Sequence, residues 1–168
     1  MGLTTIAQAM KHPDIHAYLR KVMLSEVALH VWYVLDKIPQ SYLDLIEQRF
    51  SNQAIHDTVR RVAYDGASRH TGAVLPVVRA AVAHGTPLYD LALTQALWAR
   101  MCAGYCEDGS AILARSDAHV WLTRRQVYGA LADGSRFASA FRNWLALLYE
   151  QGVEATLRMF LAQEVKVS

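Results

Sequence analysis

Apolar residues recur three and four positions apart along almost all of this chain, and no segment shows the strict alternation of a half-buried strand. That rhythm restricts the fold more than any single motif. A chain whose apolar faces all repeat at 3.6 residues buries them by packing helix on helix. Residues 4–10 predict a short lead-in helix closed by Lys11-His12-Pro13. Asp14 is then placed to cap a long helix with Ile15, Tyr18, Leu19, Val22 and Met23 inward, running toward Trp32 and Tyr33. Pro39 and Ser41 begin another, carrying Tyr42, Leu45, Ile46 and Phe50. Asn52 stands where the next helix wants a cap, with Ile55, Val59, Val62 and Ala63 inward and Asp65-Gly66 as its stop. Pro76 belongs in the first turn of a helix that Gly85 closes, and Thr86-Pro87 opens one with Leu88, Leu91, Leu93, Leu97, Trp98 and Met101. Residues 104–110 read as a loop, Ser116 or Asp117 as the cap of a helix to Ala132, Ser135 as a fresh cap, and Gly152 as a break between the last two helices. The expected fold is all-α: one compact multi-helix domain over residues 1–168, with no internal repeat of the kind a solenoid needs.

Composition narrows the function. With 53% apolar residues the chain is no disordered tail, and a formal net charge of +2 lacks the basic footprint of a dedicated nucleic-acid binder. No uninterrupted apolar run approaches the ~20 residues of a spanning helix, so no membrane partner is expected. None of the nine glycines forms a G-x-G pair, which removes the phosphate cradle of a nucleotide-binding α/β domain. Cys102 and Cys106 lie four apart on one predicted helix, where a disulfide would be strained and a zinc signature is incomplete. Two reduced thiols and the absence of a secretory signal at residues 1–6 point to the cytoplasm.

The histidines do not nominate a metal site. His12 and His16 have the spacing of paired ligands, but Pro13 breaks the helix between them and no glutamate follows His12. His30, His56, His84 and His119 are scattered singly. No nucleophile elbow or catalytic triad can be assigned. The aromatic series Trp98, Trp121, Phe141, Trp144 and Phe160 falls at helical spacings and reads as core. The arginines leave two readings open. A sharp turn at Asp65-Gly66 could fold Arg69 back toward Arg61, so that two guanidinium forks converge on a polyhydroxyl or carboxylate ligand. Alternatively Arg60 and Arg61 are solvated and Arg69 pairs with Asp57 or Asp65.

The run from Arg49 to His70 adds a resemblance. Arg49-Phe50-Ser51-Asn52-Gln53-Ala54-Ile55-His56-Asp57, then Arg61, then Asp65-Gly66-Ala67-Ser68-Arg69, is similar to the R-F-x-N-P-x-I-x-D, arginine, D-G-S-S-K pattern in the C-terminal domain of the mannitol dehydrogenase family, which comprises long-chain polyol dehydrogenases and hexuronate reductases. Leu75-Pro76 and the helix with Leu93, Ala96, Leu97 and Trp98 follow in the family's order. The resemblance implies an all-α substrate domain, similar to that of 6-phosphogluconate dehydrogenases, that follows a Rossmann domain. It implies oxidation of a polyol by hydride transfer to NAD or NADP, with a lysine as general base and an Asn and a His holding the oxygen.

By family position Arg61 matches a substrate-binding arginine and Arg69 a substrate-binding lysine. The latter change replaces a point donor by a bulkier fork. The family's Lys-x4-Asn-x2-His motif is absent: His16, Glu26 and Tyr42 stand five residues after Lys11, Lys21 and Lys37. No catalytic residue, cofactor-binding residue or metal ligand is therefore assigned to this chain. The expectation is a detached substrate domain, a truncated gene product or an excised piece, inactive alone. Its expected partners are a Rossmann domain and a polyol or sugar-acid substrate, with self-association possible through the exposed docking face. The alternative is a non-catalytic helical interaction module derived from the same family.

Overall fold

A computed structural model describes residues 2–31, 39–64, 70–105, 107–109, 131 and 135–163. In chain order these form α1 (Ile6–Lys11), α2 (Pro13–Val22), a π-helical turn (Met23–Val27), α3 (Ala28–Val31), α4 (Pro39–Ser51), α5 (Val59–Tyr64), a second π-helical turn (His70–Val74), α6 (Leu75–His84), α7 (Tyr89–Cys102) and α8 (Arg136–Ala162). One antiparallel bridge pairs Thr5 with Thr58. The all-α expectation holds for the described residues. The predicted continuation to Trp32 and Tyr33, the Asp65-Gly66 stop, Cys106 and the predicted helix that includes Trp121 lie outside them.

Local sequence accounts for most boundaries. Thr5 and Gln8 make a reciprocal capping box at the start of α1. Pro13 takes the first turn of α2, where its missing N–H costs nothing, so the cap is His12, and the expected cap Asp14 sits inside the first turn. Gly85 closes α6 at φ +67°, and Ser135 Oγ accepts the Ala138 N–H at 3.1 Å to start α8. The helix expected to follow Asn52 begins later. Asn52 instead folds its own side chain onto the Ala54 N–H at 3.0 Å, and Thr58 caps α5 through the Arg61 N–H at 3.1 Å.

Helix α7 has no side-chain cap of its own at Leu88. Its cap comes from the first π-helical turn: Glu26, 3% exposed, accepts the Leu91 N–H at 2.8 Å. Burial raises the Glu26 carboxyl from 4.5 to about 6, opposed in part by backbone donors at Leu91, Asp90 and Tyr89. Beside it Ser25 Oγ donates to Asp90 at 2.7 Å.

The core lies chiefly between α7 and α8, the most extensive contact among the described elements. Ala92, Ala96 and Ala99 let neighbours approach α7 closely, while Phe137, Trp144, Leu148, Leu157 and Phe160 of α8 pack over it. Trp144 is fully buried and donates Nε1–H to the Tyr89 carbonyl at 3.1 Å. Phe160 meets Tyr18 and Trp144 edge-on, with ring centroids at 5.6 and 5.9 Å. The expected core aromatics Trp98 and Phe141 pack against the same cluster. Cys102 is a buried free thiol whose pKa burial pushes up to about 11, so it behaves as a small apolar side chain.

Two features finish α8. Gly152 breaks it at φ +83°, and the Val153 N–H freed there donates to Glu107. At the far end Lys21 donates to the Phe160 and Gln163 carbonyls at 3.0 and 2.9 Å while lying 4.3 Å over the Phe160 ring.

Candidate functional site

Arg61 is held by a small framework that starts at residues 4–6. Ile6 donates its N–H to the Asp57 carbonyl and Val59 donates to the Thr4 carbonyl, both at 3.0 Å, so the segment before α1 is laced to the turn before α5. The Asp57 N–H donates to the Ile55 carbonyl at 2.6 Å, which fixes the other side of the same residue. Thr58 then caps α5 and pins the Arg61 backbone. The Arg61 guanidinium donates through Nε and Nη2 to the two carboxylate oxygens of Asp57. Its side chain is 66% exposed and that of Asp57 15%, so the carboxylate is the fixed partner and the fork rests on it at the surface.

Arg69, the second expected substrate contact, lies outside the described residues, as does its approach to Arg61. Among the described residues Asp57 pairs with Arg61, and its expected pairing with Arg69 lies outside them. The pairing was readable: Asp57 and Arg61 are four apart across a helix start, the spacing that brings such side chains together.

The turn also walls a cleft of about 450 Å³ lined by Thr5, Ala7, Gln8, Lys11, Gln53, Ile55 and His56. Sequence reasoning did not assign Lys11, Gln53 or His56 to a site. A second recess of about 390 Å³ lies between the end of α7 and the break in α8. There Arg100 is stacked between Tyr105 and Tyr149, at 4.9 and 5.0 Å from the ring centroids, and donates to the Tyr105 carbonyl at 2.9 Å.

His12, Asp14 and Glu154 place ligand-type atoms within 4.8 Å of one another. Arg158 already bonds both carboxylates, Asp14 at 3.1 Å. Asp14 and Glu154 each sit in the first turn after a helix start, where a carboxylate offsets the helix dipole and a second cation is disfavoured. No helix among the described residues is long and apolar enough to cross a membrane.

A family model described as mannitol dehydrogenase C-terminal domain matches residues 1–149. Mannitol 2-dehydrogenase of Cereibacter sphaeroides is 37% identical over 177 residues, covering 96% of this chain and 37% of that protein. Two solved structures share the fold. One is Pseudomonas fluorescens mannitol 2-dehydrogenase in a ternary complex with NAD and D-mannitol, at TM-score 0.84 and 24% identity over 97% of this chain and 36% of that one. The other is a substrate-free D-sorbitol dehydrogenase, at TM-score 0.80 and 20% identity over 93% and 35%. The chain thus spans little more than a third of the length of these relatives.

Proposed function

Because this chain belongs to the mannitol dehydrogenase family through its C-terminal domain, we propose that it supplies substrate contacts to an NAD- or NADP-dependent polyol oxidation and is inactive by itself. Arg61 binds the polyol or sugar acid, with Arg69 as the second contact. The observation that carries this reading is the Arg61 framework, in which a donor fork stands on a fixed turn within a segment matching the family pattern. Guanidinium donors suit a polyhydroxyl ligand because they satisfy several acceptors in one plane.

Among the described residues there is no strand–glycine loop–helix unit to cradle a dinucleotide, so these residues do not fit the cofactor. The hydride acceptor and the general base are assigned to a Rossmann partner domain, and the assembly to the cytoplasm. The relatives' names and the bound mannitol and NAD of the Pseudomonas fluorescens complex support this division.

The test is a fusion of this chain behind the N-terminal part of the Cereibacter sphaeroides enzyme, assayed for NADH formation with D-mannitol. The fusion should be active, the chain alone inactive, and Arg61→Ala in the fusion should raise KM at least tenfold. NAD reduction by the chain alone would refute the proposal. A fusion that folds and binds NAD but oxidises no polyol or sugar acid would favour the interaction module instead. That second reading draws on Leu24, Leu29, Tyr42 and Leu45, large apolar side chains left exposed on neighbouring elements. The same residues support self-association of the isolated chain, which light scattering would detect and a monomer at high concentration would exclude.

A further inference from the structure

We propose that the recess between the end of α7 and the break in α8 is a second ligand site, one that binds the carboxylate of a small hydroxy acid on Arg100. It shares no lining residue with the cleft beside Arg61, and the inference does not depend on the reading of Arg61. Arg100 is 7% exposed, a burial that arginine ordinarily reaches only when paired with an acid. Among the described residues its guanidinium has no acid partner. Nη1 donates to the Tyr105 carbonyl at 2.9 Å, Nε is buried with no acceptor, and the rings of Tyr105 and Tyr149 supply the remaining contacts. A ring face attracts the charge but takes up none of the N–H groups in the guanidinium plane. The fork is thus charged, buried and short of acceptors in its own plane, a need that a carboxylate meets with two oxygens.

The lining indicates which anion fits. The recess holds about 390 Å³, and Glu107 and Gln151 line it together with Arg100 and Tyr149. Glu107 does not serve as the missing partner. Its carboxylate stands against Gly152 and accepts the Val153 N–H freed by the break in α8. A phosphate dianion would bring two charges beside that carboxylate, whereas a hydroxy acid brings one and offers hydroxyls to Glu107 and Gln151. Tyr149 is half exposed, so a rotation of its ring can uncover the Nε edge to a ligand. A plain clamp between α7 and α8 would need only the stem and the ring contacts, and leaves the unused donors unexplained.

The test uses the nitrogen-labelled 168-residue chain at constant ionic strength, observing the Arg100 Nε–H signal by NMR, assigned from its loss in Arg100→Lys. D-gluconate is the probe. D-sorbitol, the same carbon chain without a carboxylate, and inorganic phosphate are the comparisons. Gluconate should shift the signal saturably at concentrations about tenfold or more below those of sorbitol, and below those of phosphate. Arg100→Lys keeps the charge and loses the fork, so it should weaken gluconate binding about tenfold, read from the Tyr149 ring signals. Glu107→Gln keeps an acceptor for Val153 and removes a negative charge, so it should tighten gluconate binding about two- to fivefold. That variant keeps the inference testable if circular dichroism shows Arg100→Lys to be unfolded. No response to gluconate, an equal response to sorbitol, tighter binding of phosphate, or an unchanged gluconate affinity in Glu107→Gln would each overturn the inference. So would a gluconate response that disappears in Arg61→Gln and survives in Arg100→Lys, since the ligand would then lie at the other site.

Discussion

Glu26→Gln separates two effects of a buried carboxylate that caps a helix. The folded carboxyl titrates at about 6 against 4.5 in the unfolded chain, a difference of about 1.5 pH units, or about 2 kcal/mol at 1.36 kcal/mol per unit. The sign follows from which state holds the proton more tightly. With the folded value raised, the native state binds the proton more tightly. The associated stabilisation is complete below pH 4.5 and is lost as pH rises through 6. Ionisation therefore weakens the fold toward neutral pH, although the same carboxylate caps α7 at Leu91. Glutamine keeps an acceptor for the Leu91 N–H and removes the titration.

The assay is urea unfolding of wild type and Glu26→Gln at half-unit steps from pH 4.5 to 7.5. The absolute offset between the two curves depends on how the glutamine amide sits beside Asp90. The slope of their difference does not, because all other groups are shared. The variant should gain about 2 kcal/mol relative to wild type on going from the acid to the neutral end, about 4–8 °C in Tm for a chain of this size. Parallel curves across that range would refute the argument. A gain in the opposite direction would mean that the backbone donors outweigh burial.

Two other substitutions test the break within α8 and its last turn. Gly152→Ala should destabilise by about 2 kcal/mol or more in urea unfolding, because the backbone is at φ +83° and a Cβ would stand 2.9 Å from Glu107 Oε1. Adding Glu107→Ala should relieve the contact but not the backbone strain, so full recovery in the double variant would contradict this account. Lys21→Met should cost about 1–3 kcal/mol by the same measurement, since it removes two carbonyl contacts and a ring contact at the last turn. A variant as stable as wild type would show that the lysine only decorates the helix end.

How far the sequence was legible depended on the range of the interaction. Breaks set by one residue's backbone preference, at Gly85 and Gly152, were readable because glycine alone reaches positive φ cheaply. The cap at Ser135 was readable for a similarly local reason. Asn52 misled because an asparagine that can cap a helix can equally close an Asx turn, and the choice is made by the bridge to Thr5 from nearly fifty residues away. Glu26 was invisible as a cap, since it lies sixty-five residues from Leu91 and presents an ordinary charged residue within a helical rhythm. At the site, Arg61 stood out through the arginine cluster and the resemblance, and its four-residue spacing from Asp57 already held the signal for their pairing.

The bridge between Thr5 and Thr58 also closes the chain from Ile6 to Asp57 into a loop of about fifty residues, knotted at its neck by two backbone hydrogen bonds. Closing a flexible loop of that length costs about 3–4 kcal/mol of chain entropy. The helices inside the ring must supply that through their packing, and in return they keep the neck shut. A pull on residues 2–4 is thus delivered straight to Asp57 and Thr58 instead of being absorbed along α1, α2 and α4. Mechanically, the turn that carries Arg61 is tied to residues 4–6.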